Sequence, residues 1–233
     1  MKKKLLSVLL CFAAIFAIHA QISIEDVEIG VPIERTLQAG DEHWFRISAY
    51  RDGIFSLYLY PKTKGIYEKI YAELYDSDEK PLFVSDEGQN ENRFYEINWI
   101  TETGKTYLVK VRGEDKNITG AYKLTIYHYD VENIDVGKPR IKNLGDGNSV
   151  HYFSFTITEA GYYEFGCAAE DATGVFILLE NEKLEFIADI DSDDYRYRRS
   201  MSLDSGIYYF YVIAKGGDFS DNTDYIISVE KLE

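Results

Sequence analysis

The chain has 233 residues with 25 lysines and arginines against 40 aspartates and glutamates, a formal net charge of −15. A surface so acidic is repelled by a phosphate backbone and gains nothing from an anionic membrane, which argues against nucleic-acid binding. Twenty tyrosines and thirteen phenylalanines favour sheet over helix.

Lys2, Lys3 and Lys4 precede an apolar run over residues 5–18 that ends in His19 and Ala20. That is the pattern of a secretory signal peptide cleaved after Ala20, so residues 1–20 are set apart from the fold and the mature chain is expected to be exported, to the periplasm or beyond. The run is short for a membrane span, and no later segment approaches the roughly 20 apolar residues a spanning helix needs. An uncleaved N-terminal anchor is one alternative; lipidation at Cys11 is another. Against lipidation stand the bulky Leu10 before the cysteine and the apolar stretch 12–18 after it. Removing the three leader lysines takes the net charge to −18 and leaves Cys167 as the one remaining cysteine, so no intramolecular disulfide can form. Cys167 shares an alternating face with Tyr163 and Phe165 and reads as a buried, inert thiol.

Beyond the leader the sequence repeats itself at a spacing just over one hundred residues. Gly30-Val31-Pro32 is echoed by Gly137-Lys138-Pro139, and His43-Trp44-Phe45 by His151-Tyr152-Phe153. Gly53-Ile54-Phe55 is echoed by Gly161-Tyr162-Tyr163, Leu74-Tyr75-Asp76 by Leu178-Leu179-Glu180, and Gly104-Lys105-Thr106-Tyr107 by Gly206-Ile207-Tyr208-Tyr209. Two folding units of ordinary size follow, at 21–133 and 134–233, with a boundary near 132–135.

Both units read as strands. Phe45/Ile47, Phe55/Leu57/Leu59, Tyr107/Val109/Val111 and Tyr122/Leu124/Ile126 recur at every second residue, the period of a half-buried strand. Glycine and acidic clusters such as Gly40-Asp41, Arg51-Asp52-Gly53 and Asp76-Ser77-Asp78 mark the turns between them. Short strands without a helical layer must bury their apolar faces against a second sheet. The expected fold class is all-β: two tandem antiparallel β-sandwiches, jelly-roll-like, behind a cleaved signal peptide.

The run Gly30, Leu37, Gly40, Trp44-Phe45, Ala49 to Gly53, Leu74-Tyr75-Asp76, Gly104 to Val109 and Gly120-Ala121-Tyr122-Lys123-Leu124-Thr125-Ile126 resembles the bacterial pre-peptidase C-terminal domain. The second copy follows the pattern less closely, its last strand beginning Asp224-Tyr225 with no glycine before it. The resemblance implies small β-sandwich modules on secreted proteins, commonly beside peptidases, where they aid export, solubility or attachment to substrate; some relatives bind calcium and collagen. No peptidase domain accompanies the modules here, and a fold does not transmit a function.

No catalytic set emerges. His43 and His151 occupy equivalent places and read as strand-entry residues that pack and hydrogen-bond at the sandwich edge; no zinc spacing and no Gly-x-Ser-x-Gly elbow is present. The chain is expected not to be an enzyme, a small secreted hydrolase being the remote alternative. The acidic loops are the metal candidates, since calcium takes carboxylate and carbonyl oxygens: Asp76 and Asp78, Asp191 and Asp193, and Asp221. Solvated turns explain the same residues, so no cofactor is assigned beyond calcium as a candidate.

The aromatic surplus carries the functional expectation. In the strand from Gly206 to Ala214, aligning the two glycines puts Tyr209, Tyr211 and Ile213 in the core and leaves Tyr208, Phe210 and Val212 outside, to be covered by the other half, by their own domain or by a partner. In the first copy Tyr58 and Tyr60 face outward beside Pro61, flat rings with a polar edge suited to sugars or protein. The expected function is that of a non-catalytic exported binding or accessory module engaging an envelope or extracellular protein or glycan. A structural envelope component and a calcium-dependent adhesion module are the alternatives; the oligomeric state is not set by the sequence.

Overall fold

The structure is a computed structural model that describes residues 23–63, 69–84, 95–143, 150–169, 175–191, 196–214 and 224–232. The leader, with Cys11, lies outside the described residues. The described residues form eighteen strands. The first half holds β1 (Ile24–Asp26), β2 (Ile33–Leu37), β3 (Glu42–Ser48), β4 (Gly53–Pro61), β5 (Ile70–Asp76), β6 (Pro81–Val84), β7 (Tyr95–Thr101), β8 (Thr106–Gly113) and β9 (Gly120–Tyr129). The second holds β10 (Val131–Asn133), β11 (Arg140–Asn143), β12 (Val150–Ile157), β13 (Gly161–Ala169), β14 (Val175–Glu180), β15 (Phe186–Asp191), β16 (Arg196–Leu203), β17 (Gly206–Ala214) and β18 (Asp224–Lys231).

Each half pairs a five-stranded with a four-stranded sheet. The first has the orders β1-β3-β8-β5-β6 and β2-β9-β4-β7; the second has β10-β12-β17-β14-β15 and β11-β18-β13-β16. Adding nine to each strand number of the first half reproduces the second, so the repeat seen in the sequence is a repeat of topology. The fold is all-β and sandwich-like, as the alternation requires. The sheets are not purely antiparallel: β1 runs parallel to β3 and β10 parallel to β12. After β1 the chain crosses to the other sheet as β2 and returns as β3, so β3 enters in the direction β1 took.

The apolar faces close two separate cores. In the first, Phe45, Ile47, Phe55, Leu57, Tyr122 and Leu124 lie between the sheets; in the second, Phe153, Phe155, Phe165, Phe210, Tyr225 and Val229 do. Cys167 is buried in the second core, where burial pushes its thiol up to about 12.

The pairing overturns one expectation. Tyr208, Phe210 and Val212 belong to the second core, while Tyr209, Tyr211 and the outward Ile213 turn away from it. Val109 pairs with Phe45, and Phe210 with Phe153, so the counterpart of Val109 is Phe210 rather than Tyr211. The connection before β17 is Asp204-Ser205, whereas four residues, 102–105, precede β8. Matching Gly104 to Gly206 therefore slid the repeat by one residue, and a one-residue slip exchanges the two faces of a strand.

The exposed face of β17 is covered all the same, and by the other half. Ile54 and Tyr129 pack against Val131, Tyr152, Tyr209 and Tyr211, which lays the first four-stranded sheet on the second five-stranded sheet. The change from one set of sheets to the other falls at Asp130, the single residue between β9 and β10.

Candidate binding face

The first four-stranded sheet has an outer face that the second half covers only in part. On β4 the side chains of Phe55, Leu57 and Leu59 enter the core, which turns Ile54, Ser56, Tyr58 and Tyr60 outward. Tyr58 stands opposite Thr125 on β9 and Glu96 on β7, and Ser56 stands opposite Tyr127 and Asn98. The register thus gathers Tyr58, Tyr60 and Tyr127 with Glu96 and Lys123 on one surface.

The ring planes of Tyr58 and Tyr60 are 14° apart with centroids 6.2 Å from each other, and Tyr127 meets Tyr58 edge-on at 5.8 Å. Tyr60 is 38% and Tyr127 43% exposed. Tyr58 is set deeper: its hydroxyl donates to Glu96 Oε1 at 3.1 Å, and burial, then the Glu96 charge, raises its phenol well above the ordinary range. Asn98 Nδ2 donates to the same oxygen at 3.2 Å. The result is a step of aromatic surface with a fixed carboxylate at its foot. It can stack a flat apolar face of a ligand and accept hydrogen bonds from hydroxyls beside it.

Of the sequence-predicted residues, Tyr58 and Tyr60 are brought together here. Tyr208 and Phe210 are not binding residues on an outer face: Phe210 is fully enclosed, and the Tyr208 hydroxyl donates to the Asp204 carbonyl at 3.0 Å. Tyr127 and Glu96 were missed. The alternation of β9 marks Tyr127 as outward, but its position beside Tyr58 follows only from the β4–β9 register, which no local pattern carries.

A second aromatic group lies on the outer face of the first five-stranded sheet. Glu73, 3% exposed, receives Lys110 Nζ and Arg112 Nε at 2.6 Å each and the Tyr75 hydroxyl at 2.5 Å. Lys110 sits 5.5 Å from the ring centres of both Trp44 and Tyr75. Burial raises the Glu73 carboxyl, but the hydrogen bonds from Lys110, Tyr75 and Arg112 outweigh it and hold the group below its ordinary value. Every charge in this group has a partner, so it reads as a brace between β5 and β8.

The acidic-loop candidates divide. Asp76 Oδ1 accepts the backbone amides of Asp78 and Lys80, each at 2.9 Å, and closes the turn in which Glu79 has φ 60°. In the second half Asn181 Oδ1 accepts the amides of Lys183 and Glu185 at 2.9 and 3.0 Å, with Leu184 at φ 59°. An asparagine does the same work, so the turn needs the oxygen and not the charge. Asp78 is exposed at its tip. The side chain of Asp191, and Asp193 and Asp221 altogether, lie outside the described residues. Among the described residues no group of three or more His, Cys, Asp or Glu side chains could hold a metal ion.

A cleft of about 430 Å³ also opens between the halves, lined by Arg51, His128, Asp130, Glu132, Lys142 and His151 among others. Arg51 donates to Asp130 at 2.9 Å and to His128 Nδ1 at 3.0 Å, and Lys142 pairs with Glu132. Its charges neutralise one another.

No protein-family model matches the chain, and no curated protein does. Among solved structures, the chain is similar to the pre-peptidase C-terminal domain of a collagenase from Bacillus anthracis, with a TM-score of 0.39 and 17% identity over 43% of this chain and 95% of that one. It is similar to CorA, a surface-associated copper-binding protein of Methylomicrobium album BG8, with a TM-score of 0.33 and 7% identity over 46% of this chain and 98% of the other. A protein from Eubacterium rectale gives a TM-score of 0.28 and 10% identity over 84% of this chain and 72% of that one. Among the described residues no helix is long and apolar enough to cross a membrane.

Proposed function

We propose that the chain is an exported, non-catalytic binding module that holds a glycan against the step formed by Tyr58, Tyr60 and Tyr127. The observation that carries this reading is the near-parallel Tyr58–Tyr60 pair, with the Glu96 carboxylate fixed at its edge and Tyr60 and Tyr127 open to solvent. A sugar ring offers an apolar C–H face to aromatic rings and a rim of hydroxyls to a carboxylate, and the step supplies both. Comparison of the two halves supports a role beyond folding. Gly53 of β4 corresponds to Gly161 of β13, so Tyr58 and Tyr60 correspond to Gly166 and Ala168. The same sandwich closes without those rings. Export rests on the leader pattern in residues 1–20.

The test is a glycan array probed with the mature chain, followed by titration of any hit against Tyr60→Ala and Tyr127→Ala. Loss of one stacking ring should weaken binding by about tenfold in each. A hit that survives both changes, or that vanishes with a chelator while both variants bind normally, would defeat the reading.

A further inference from the structure

The two five-stranded sheets share one topology but not one environment: the first keeps its outer face free of the other half, and the second lays its own against it. Their pairing registers match the outward positions residue by residue. Trp44 corresponds to Tyr152, Lys110 to Tyr211, Arg112 to Ile213, Glu73 to Leu178 and Tyr75 to Glu180. Three charges of the free face are therefore replaced by uncharged or apolar side chains on the docked one, as burial demands. Glu180 breaks that rule in the opposite sense, placing a carboxyl where the free face has a phenol.

Glu180 is 7% exposed, and its Oε2 has no hydrogen-bond partner. Across the contact, Asn98 Oδ1 and Thr125 Oγ1 of the first half are also buried without partners, while the Tyr152 and Ser56 hydroxyls lie beside each other. A buried polar atom left unpaired is costly and calls for an explanation. The titratable groups that interact with Glu180 are acids, Glu96 on β7, Tyr152 on β12 and Tyr211 on β17, with Tyr209 opposite it on β17 and Glu182 two residues further along the chain. β15 presents Phe186 opposite it. Among the described residues no cation pairs with Glu180. Arg51 and Lys142, in the cleft at the edge of the contact, are engaged by Asp130 and Glu132.

We propose that Glu180 is a proton-operated latch between the halves: protonated, it is accommodated among the tyrosines and the halves stay docked; ionised, it faces Glu96 unpaired and opens the contact. This goes beyond the glycan reading and does not depend on it. Burial first, and then Glu96, push the carboxyl from its ordinary 4.5 up to about 7. Below 4.5 the proton is bound whether the halves are docked or apart, so the group costs nothing. As pH rises from 4.5 the docked state alone must retain the proton, and docking weakens until it levels off above 7. A shift of that size corresponds to a docking equilibrium at most about 300-fold weaker on the alkaline side.

Ser56 is fully buried on the outer face of β4, with Tyr152 of the other half beside it, so a thiol at this position reports opening. The mature Ser56→Cys chain and the Ser56→Cys/Glu180→Gln chain are labelled with a maleimide at pH 5.5 and at pH 8.5. Label at position 56 is read by peptide mass spectrometry, apart from the buried Cys167. Comparing the two chains at one pH cancels the intrinsic reactivity of the thiol. The expected result is a labelling ratio, the chain that keeps Glu180 over the chain with Gln, that is at least tenfold larger at pH 8.5 than at pH 5.5. A ratio that does not grow between the two pH values overturns the latch. Should Ser56→Cys fail to fold, Thr125→Cys, also buried on that face, serves in its place.

Discussion

His43 Nδ1 lies 2.6 Å from the hydroxyl of the fully buried Tyr122, tying β3 of one sheet to β9 of the other across the first sandwich. His151 and Tyr225 repeat the bond at 2.6 Å between β12 and β18. Asp41 Oδ2 is 3.9 Å from His43 Nε2, which favours the tautomer with its proton there and leaves Nδ1 to accept from the tyrosine. Each tie is a polar contact at the margin of an otherwise apolar interior. Tyr122→Phe and Tyr225→Phe should each lower unfolding stability by about 1 kcal/mol, measured by urea denaturation. The ties lie in different halves and share no partner, so the double variant should show the sum of the two losses.

Burial, above all, lowers the pKa of both His43 and His128 below the ordinary 6.5. The folded protein then binds these protons less readily than the unfolded chain does. Their contribution is complete above 6.5 and is lost as pH falls through the lowered values. Glu180 has the opposite sign, so the two trends overlap in the wild type. Stability measured across pH 4.5 to 8.5 in a Glu180→Gln background should therefore fall on the acid side and lose its alkaline decline.

Glu73 on β5 braces two cations, Lys110 and Arg112, on β8. Glu73→Ala leaves Lys110 and Arg112, two residues apart on β8, without their shared carboxylate and should cost about 3 kcal/mol, seen in the urea midpoint. Its carboxyl is held low, so this stabilisation is complete above its ordinary 4.5 and disappears as pH falls through the lowered value.

Gly53 and Gly30 both have positive φ, at 150° and 80°, but only the first is crowded. A Cβ on Gly53 would come within 2.4 Å of the Tyr129 carbonyl and 2.7 Å of His128 Nε2, whereas one on Gly30 meets nothing within 4 Å. Gly53→Ala should cost about 3 kcal/mol or more and Gly30→Ala about 1, compared by thermal unfolding.

What the sequence revealed follows the reach of local pattern. Phe55, Leu57 and Leu59 declare their face by alternation within one strand, and β4 lies as that alternation requires. Matching one strand with its repeat depends on loop length, and there the shorter turn before β17 exchanged Tyr208 and Phe210 for Tyr209 and Tyr211. The parallel entry of β1 beside β3 leaves no mark in either strand, because it arises from the chain's passage through the opposite sheet. Tyr58 and Tyr60 could be read as outward from their own strand. Tyr127 and Glu96 could not be placed beside them without the pairing of β4 with β9 and β7, and Glu180 could be recognised as anomalous only after its counterpart Tyr75 was known.

Asp130 alone separates β9 from β10, and each of those strands is hydrogen-bonded into a different sandwich. A tether of one residue has no slack. If the contact opens, the halves cannot drift apart like beads on a string; they can only swing, with the backbone torsions around Asp130 as the pivot. A pull on one half would reach the other through that pivot without delay, making the chain a jointed lever rather than a pair of independent anchors.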